Sequence, residues 1–195
     1  MSPTIDHLDI REFYRAGFEV TPENSTKFDT YPLKGKRKHQ QTFKEFFINN
    51  KSLSELISNF CGLSEPLTLN WVGVFGFHST KETENIKINQ LLLKPISEKQ
   101  IIDSLPKQLD KKHLKGYLDN YKNELSDKNV LIYVCGECGD FSCGGVSITI
   151  SKSDDYFLWT YQSDEDEIIN PTKTLTFRFD KHQYFATLDE YIRTK

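Results

Sequence analysis

Val146, Ile148 and Ile150 alternate with Ser147, Thr149 and Ser151, and a period of two residues places these sets on opposite sides of an extended strand. One side is then buried and the other wet, so the segment requires a sheet with its core on a single face. Ser153-Asp154-Asp155 leads directly into Tyr156 to Tyr161, and so short a connection makes the two runs an antiparallel hairpin. A third strand follows, in which Leu175, Phe177 and Phe179 alternate with Thr176 and Arg178. Asp180 is placed to cap a last helix, whose Tyr184, Phe185, Leu188, Tyr191 and Ile192 form an apolar stripe suited to covering the sheet.

The amino-terminal part is more mixed. Ser52-Leu53-Ser54-Glu55 fits a capping box, and Leu53, Leu56, Ile57 and Phe60 recur at helical spacing until Gly62. The stretch from Leu67 to Phe77 is rich in aromatic and β-branched residues and reads as a strand, with two glycines that suggest a bulge. Asn85 to Leu93 reads as a second strand, Ser97 to Leu105 as a short helix, and Gln108 to Leu125 as a helix weakened by Gly116. These elements add up to an α+β fold, mainly an antiparallel sheet covered by helices, with a carboxy-terminal β-meander plus helix. No internal repeat divides the chain. We therefore expect one domain over residues 1–195, with a mixed helix and strand half (1–125) and a meander half (126–195).

Charge and composition exclude several classes. Asp and Glu total 28 against 25 Lys and Arg, a net charge of -3, which disfavours a basic nucleic-acid binder. The run Lys34-Gly35-Lys36-Arg37-Lys38-His39 is basic but lacks an aromatic platform, so it reads as a solvated loop. Met1 to Phe18 has neither the basic start nor the apolar run of a secretory signal, and no later stretch is apolar enough to cross a membrane. The expectation is a cytoplasmic protein with no membrane contact. Signatures for phosphate cradles, nucleophile elbows, zinc proteases and dinucleotide binding are all missing from the sequence. His7, His39, His78, His113 and His182 are scattered. No enzyme activity and no cofactor are expected.

The densest local signal is Cys135-Gly136-Glu137-Cys138-Gly139-Asp140-Phe141-Ser142-Cys143-Gly144-Gly145, between two expected strands. Its glycines permit tight reversals. Cys135, Cys138 and Cys143 supply three of the four ligands a zinc site uses, leaving the fourth to Cys61 or a histidine. A tight loop with small buried thiols is the preferred reading over a metal site. This run, the alternating strand behind it, Tyr156-Phe157-Leu158-Trp159, the Phe-rich strand and the Tyr184-Phe185 helix resemble a bacterial family of small cytosolic proteins. Its members are immunity proteins of polymorphic toxin systems, including contact-dependent growth inhibition. The resemblance spans about Val130 to Ile192.

That resemblance implies an immunity-type protein that binds and neutralises one cognate toxin, through the toxin's carboxy-terminal domain. It transfers no catalytic residues. Charge pattern suggests where such a partner docks: from Asp154 to Glu167 there are six carboxylates and no Lys or Arg, interleaved with Tyr156, Phe157, Trp159 and Tyr161. We take Asp154, Asp155, Tyr156, Asp164, Glu165, Asp166 and Glu167 as partner-binding candidates, matched to the basic groove of a nuclease toxin. The bland alternative is a solvated acidic loop with core aromatics. A rival function is a small zinc- or thiol-dependent protein using Cys135, Cys138 and Cys143.

Overall fold

The computed structural model describes residues 4–19, 37–63, 71–76, 79–104, 115–116, 118–119, 122–123, 128–137, 145–162 and 173–194. The architecture is α+β, as expected. Five strands, β6 (Trp71–Gly73), β7 (Asn129–Cys135), β8 (Gly145–Lys152), β9 (Tyr156–Gln162) and β10 (Thr174–Asp180), form an antiparallel sheet in the order β10-β9-β8-β7-β6. A smaller antiparallel sheet has the order β1-β4-β5, from β1 (Leu8–Arg15), β4 (Gln41–Ile48) and β5 (Lys51–Ser52). Beyond Arg15 the β1–β4 hairpin continues as the short pair β2 (Phe18–Glu19) and β3 (Arg37–Lys38).

Two isolated bridges join the sheets, Asp6 to Phe179 and Lys44 to Phe75. The second brings backbones so close that a Cβ on Gly73 would lie 2.1 Å from the Lys44 carbonyl oxygen. One of the two glycines in the expected 67–77 strand thus marks a junction: β6 ends at Gly73, and the chain pairs again with β4 at Phe75.

Helix α1 (Leu53–Phe60) begins where expected, with the Ser52 hydroxyl accepting from the Glu55 amide, and ends before Gly62 at φ 66°. The expectation of a strand at Asn85 to Leu93 is wrong. That segment belongs to helix α2 (Lys81–Leu91), started by a reciprocal capping box between Thr80 and Thr83. Ile88, Leu91 and Leu92 join the main core, whereas Ile86 packs with Ile101 and Leu118 in a separate cluster. Burial on two sides removes the one-faced helical pattern, and the remaining Ile86/Ile88 alternation imitates a strand. Helix α3 (Glu98–Ser104) falls on the expected short helix, and the described residues 115–116, 118–119 and 122–123 are helical too.

Helix α4 (Lys181–Arg193) is capped by Asp180, whose Oδ1 accepts from the Gln183 amide at 3.0 Å. Its Tyr184 fills the centre of the main core, stacked on Phe157 (4.4 Å between centroids) and Phe179. Trp159 Nε1 donates to the Tyr184 hydroxyl at 2.9 Å, and that hydroxyl donates to the Leu91 carbonyl at 3.0 Å. This relay satisfies two buried polar groups while fastening α4 to β9 and α2. Phe46 of the small sheet meets Trp159 edge-on at 5.5 Å, so both sheets share one core. Among the described residues no helix is long and apolar enough to cross a membrane.

Candidate functional site

Strands β8, β9 and β10 turn Val146, Ile148, Ile150, Phe157, Trp159, Phe177 and Phe179 into the core. Alternation therefore sends the intervening residues to the opposite face. Register aligns them in ranks: Thr149 opposite Thr160 opposite Thr176, and Ser151 opposite Leu158 opposite Arg178. Thr149, Ser151, Gln162, Thr174 and Thr176 are exposed. Among the described residues α2 and α4 lie on the core side, and no helix covers this outer face. Its charged groups are Arg178 and Asp180, and Asp180 is engaged as a helix cap. The Arg178 guanidinium lies 3.7 Å from the centroid of the Tyr156 ring, forming a cation–π pair at one end of the face.

Of the expected binding residues, Asp154 and Asp155 are exposed in the β8–β9 turn and Tyr156 is half-buried beside them. Ser153 Oγ accepts from the Asp155 and Tyr156 amides, which sets the turn. Lys181 reaches back to it, its Nζ donating to the Asp154 carbonyl at 2.8 Å and its amide to the Asp155 carbonyl at 3.0 Å. With Lys152, Arg178 and Lys181 around Asp154, Asp155 and Asp180, this end of the face carries both signs of charge rather than an acidic patch. Asp164, Glu165, Asp166 and Glu167 lie outside the described residues. Phe157 and Trp159 are fully buried and follow the core alternative.

A second cluster forms at the start of the cysteine loop, and sequence reasoning missed its centre. Arg15, at the end of β1, is only 5% exposed, and its Nη2 donates to the His39 carbonyl at 3.1 Å and lies 3.5 Å from Glu137 Oε1. His39 Nδ1 is 3.2 Å from Glu137 Oε2. Burial lowers the Arg15 pKa from its ordinary value, opposed by Glu137 and by Cys135. Cys135 is half-buried, and Cys138 and Cys143 lie outside the described residues. A guanidinium at this spot opposes a bound cation. Among the described residues no three His, Cys, Asp or Glu side chains gather as metal ligands, and Cys61 instead meets the Tyr161 hydroxyl at 3.5 Å. No local sequence signal marks Arg15, because its neighbours come from β7 and from the residues before β4. The loop's last glycine has a steric reason: a Cβ on Gly145 would lie 2.6 Å from the Tyr133 carbonyl oxygen.

Two buried carboxylates also stand out. Glu84 Oε1 accepts from the Gly76 amide (2.9 Å) and Ser79 Oγ (2.6 Å), while Oε2 accepts from the Tyr191 hydroxyl (3.0 Å). It ties α2 and α4 to the turn after β6. Glu45 is fully buried, with Oε1 accepting from the Tyr133 hydroxyl and the Phe46 amide. Burial pushes its pKa up to about 7, against the Tyr133, Ser54 and Phe46 contacts that lower it. Ser54 is near the pair but makes no well-directed bond to Oε2, which has no partner among the described residues. Both acids serve the core rather than an open site. No protein-family model, curated protein or solved structure matches the chain.

Proposed function

We propose that the chain is an immunity-type protein that docks on a cognate toxin domain in the cytoplasm and neutralises it by covering its active site or substrate groove, without catalysing a reaction. The observation that supports this reading best is the outer face of β8, β9 and β10, which no helix covers among the described residues. In a chain with 27% charged residues, this face is mostly threonine, serine and leucine, with the Tyr156–Arg178 pair at one end and mixed charges at its rim. Depletion of charge at the centre, with Tyr and Arg as anchors, is the composition of protein-binding surfaces. Three strands about 4.8 Å apart and roughly 20 Å long make the centre of an interface rather than its whole area. The acidic Asp164 to Glu167 segment, which joins β9 to β10 in sequence, would extend it toward a basic nuclease groove, beside the mixed charges of the Asp154–Asp155 turn.

Co-expression with the toxin encoded by the neighbouring upstream reading frame tests the reading. The chain should protect cells from that toxin, and Thr160→Arg should abolish protection and binding while leaving the melting temperature unchanged. If a folded Thr160→Arg variant protects like the parent, the face is not the interface. If the parent chain rescues cells from no linked toxin, the immunity reading fails. Reversing Asp164, Glu165 and Asp166 to Lys should slow association at low salt.

One observation favours a second reading, the convergence of Arg15, His39 and Glu137 around Cys135. Because the Arg15 guanidinium opposes a cation, it favours the thiol form over the zinc form, and either would use Cys135 with Cys138 and Cys143. Stoichiometric zinc in the purified protein, lost in Cys138→Ser, would decide for the metal form of that reading.

A further inference from the structure

We propose that the free edge of β1 is a strand-addition site for an extended segment of a partner protein carrying lysine or arginine. The hydrogen-bond directions establish the edge. The Asn49 amide donates to the His7 carbonyl, on the β4 side. Odd residues of β1 therefore bond to β4, and Leu8, Ile10, Glu12 and Tyr14 direct their backbone groups outward.

The first half of that outward edge is already closed by side chains: Thr187 Oγ1 donates to the Leu8 carbonyl at 3.2 Å, and Asp9 Oδ1 accepts from the Ile10 amide at 2.8 Å. From the Ile10 carbonyl through Glu12 to Tyr14, no partner exists among the described residues. Glu12 and Tyr14 are well exposed, with 58% exposure for Tyr14, and unpaired edges of this kind recruit strands. A groove of about 430 Å³ opens beside the start of this edge, between His7 to Ile10 and the last turns of α4 at Thr187, Glu190 and Thr194.

Charge selects the occupant. Around the groove and edge, Asp9 pairs with Arg11 at 2.6 Å and Glu12 with Lys44 at 3.5 Å, whereas the exposed Glu190 carboxylate has no ion-pair partner among the described residues. A cationic side chain on the added strand would supply one. A second copy of the chain fits poorly. Antiparallel self-pairing over the open stretch sets Arg11 against Arg11, Glu12 against Glu12, or Arg11 against Arg15, depending on register. The register that sets Asp9 against Arg11 needs the Leu8 carbonyl, which already accepts from Thr187. The site is separate from the β8–β10 face, so this inference stands or falls independently of the immunity reading.

The test uses the full chain and a synthetic peptide of about seven residues alternating lysine with valine, long enough for the open stretch at ~3.3 Å per residue. In the free chain, amide hydrogen exchange should be fast at Glu12 and Tyr14 and slow at Arg11 and Phe13, which bond to β4. Saturating peptide should slow Glu12 and Tyr14 by at least ~10-fold. Glu12→Pro removes only an outward amide and should abolish the effect, and Glu190→Gln should weaken binding. Protection of Glu12 and Tyr14 in the free chain overturns the proposal, as does equal protection by a glutamate–valine peptide. Concentration-dependent dimers that protect the same amides would overturn it in favour of a second copy. Because the exchange measurement is made on the unmodified chain, a Glu12→Pro variant that fails to fold does not remove the test.

Discussion

Glu45→Gln tests whether the core holds a neutral acid. The carboxyl of Glu45 has an ordinary value of 4.5 in an unfolded chain and is pushed up to about 7 in the folded protein, mainly by burial. Between these values the folded state binds a proton that the unfolded state has lost, so stability falls as pH rises. The stabilisation is complete below about 4.5 and gone above about 7. Tenfold in proton affinity is worth about 1.4 kcal/mol, so the whole change amounts to about 3 kcal/mol, most of it between about pH 5 and 8.

Glutamine keeps the acceptor for the Tyr133 hydroxyl and the Phe46 amide but cannot ionise. It also places an amide donor where Oε2 has no partner among the described residues, a pH-independent penalty of about 1–3 kcal/mol. Urea denaturation of both proteins from about pH 5 to about pH 8.5 isolates the proton, because every other titrating group cancels in the difference. The parent's advantage over Glu45→Gln should shrink by about 2–3 kcal/mol across that range. A difference that stays flat, or grows with pH, would falsify the account of Glu45 as a buried acid.

Other changes test the packing. Gly73→Ala drives a Cβ into the Lys44 carbonyl oxygen and should destabilise the fold by about 2 kcal/mol or more in a thermal melt, since neither backbone can yield cheaply. Gly145→Ala, facing the Tyr133 carbonyl, should behave alike, and a neutral result at both would remove the close-approach explanation. Tyr184→Phe strands the Trp159 N–H and the Leu91 carbonyl; a loss of about 1–3 kcal/mol is expected, and a loss below ~0.5 kcal/mol would mean the relay contributes little. Asp180→Ala should cost about 1 kcal/mol by uncapping α4, with Asp180→Asn recovering most of it in the same denaturation assay.

What was legible in the sequence was local. The period of two in Val146–Ser151, Tyr156–Tyr161 and Leu175–Phe179, the capping residues Ser52 and Asp180, and the stripe on α4 each report contacts within one element. A backbone in a given conformation repeats its side chains with a known period, so those elements could be read without the rest of the molecule. Helix α2 is not legible as a helix in the sequence because its burial comes from two separate clusters, which erases the pattern a single partner would impose. The strand β1 has no local signal, because its charged residues face solvent along an edge and only its pairing with β4 declares it extended.

The chemistry of the cysteine loop and the core depends on tertiary placement. Arg15 meets His39 and Glu137, Glu45 meets Tyr133, and Glu84 meets Tyr191, across separations no periodicity encodes. The same holds for the outer sheet face: alternation names its residues, but only the placement of α2 and α4 on the opposite side leaves that face uncovered among the described residues. Local sequence determines which way a side chain points relative to its own backbone. Whether that direction ends in water, in a core or against a charge is set by chain segments that arrive from far away, and folding alone brings them there.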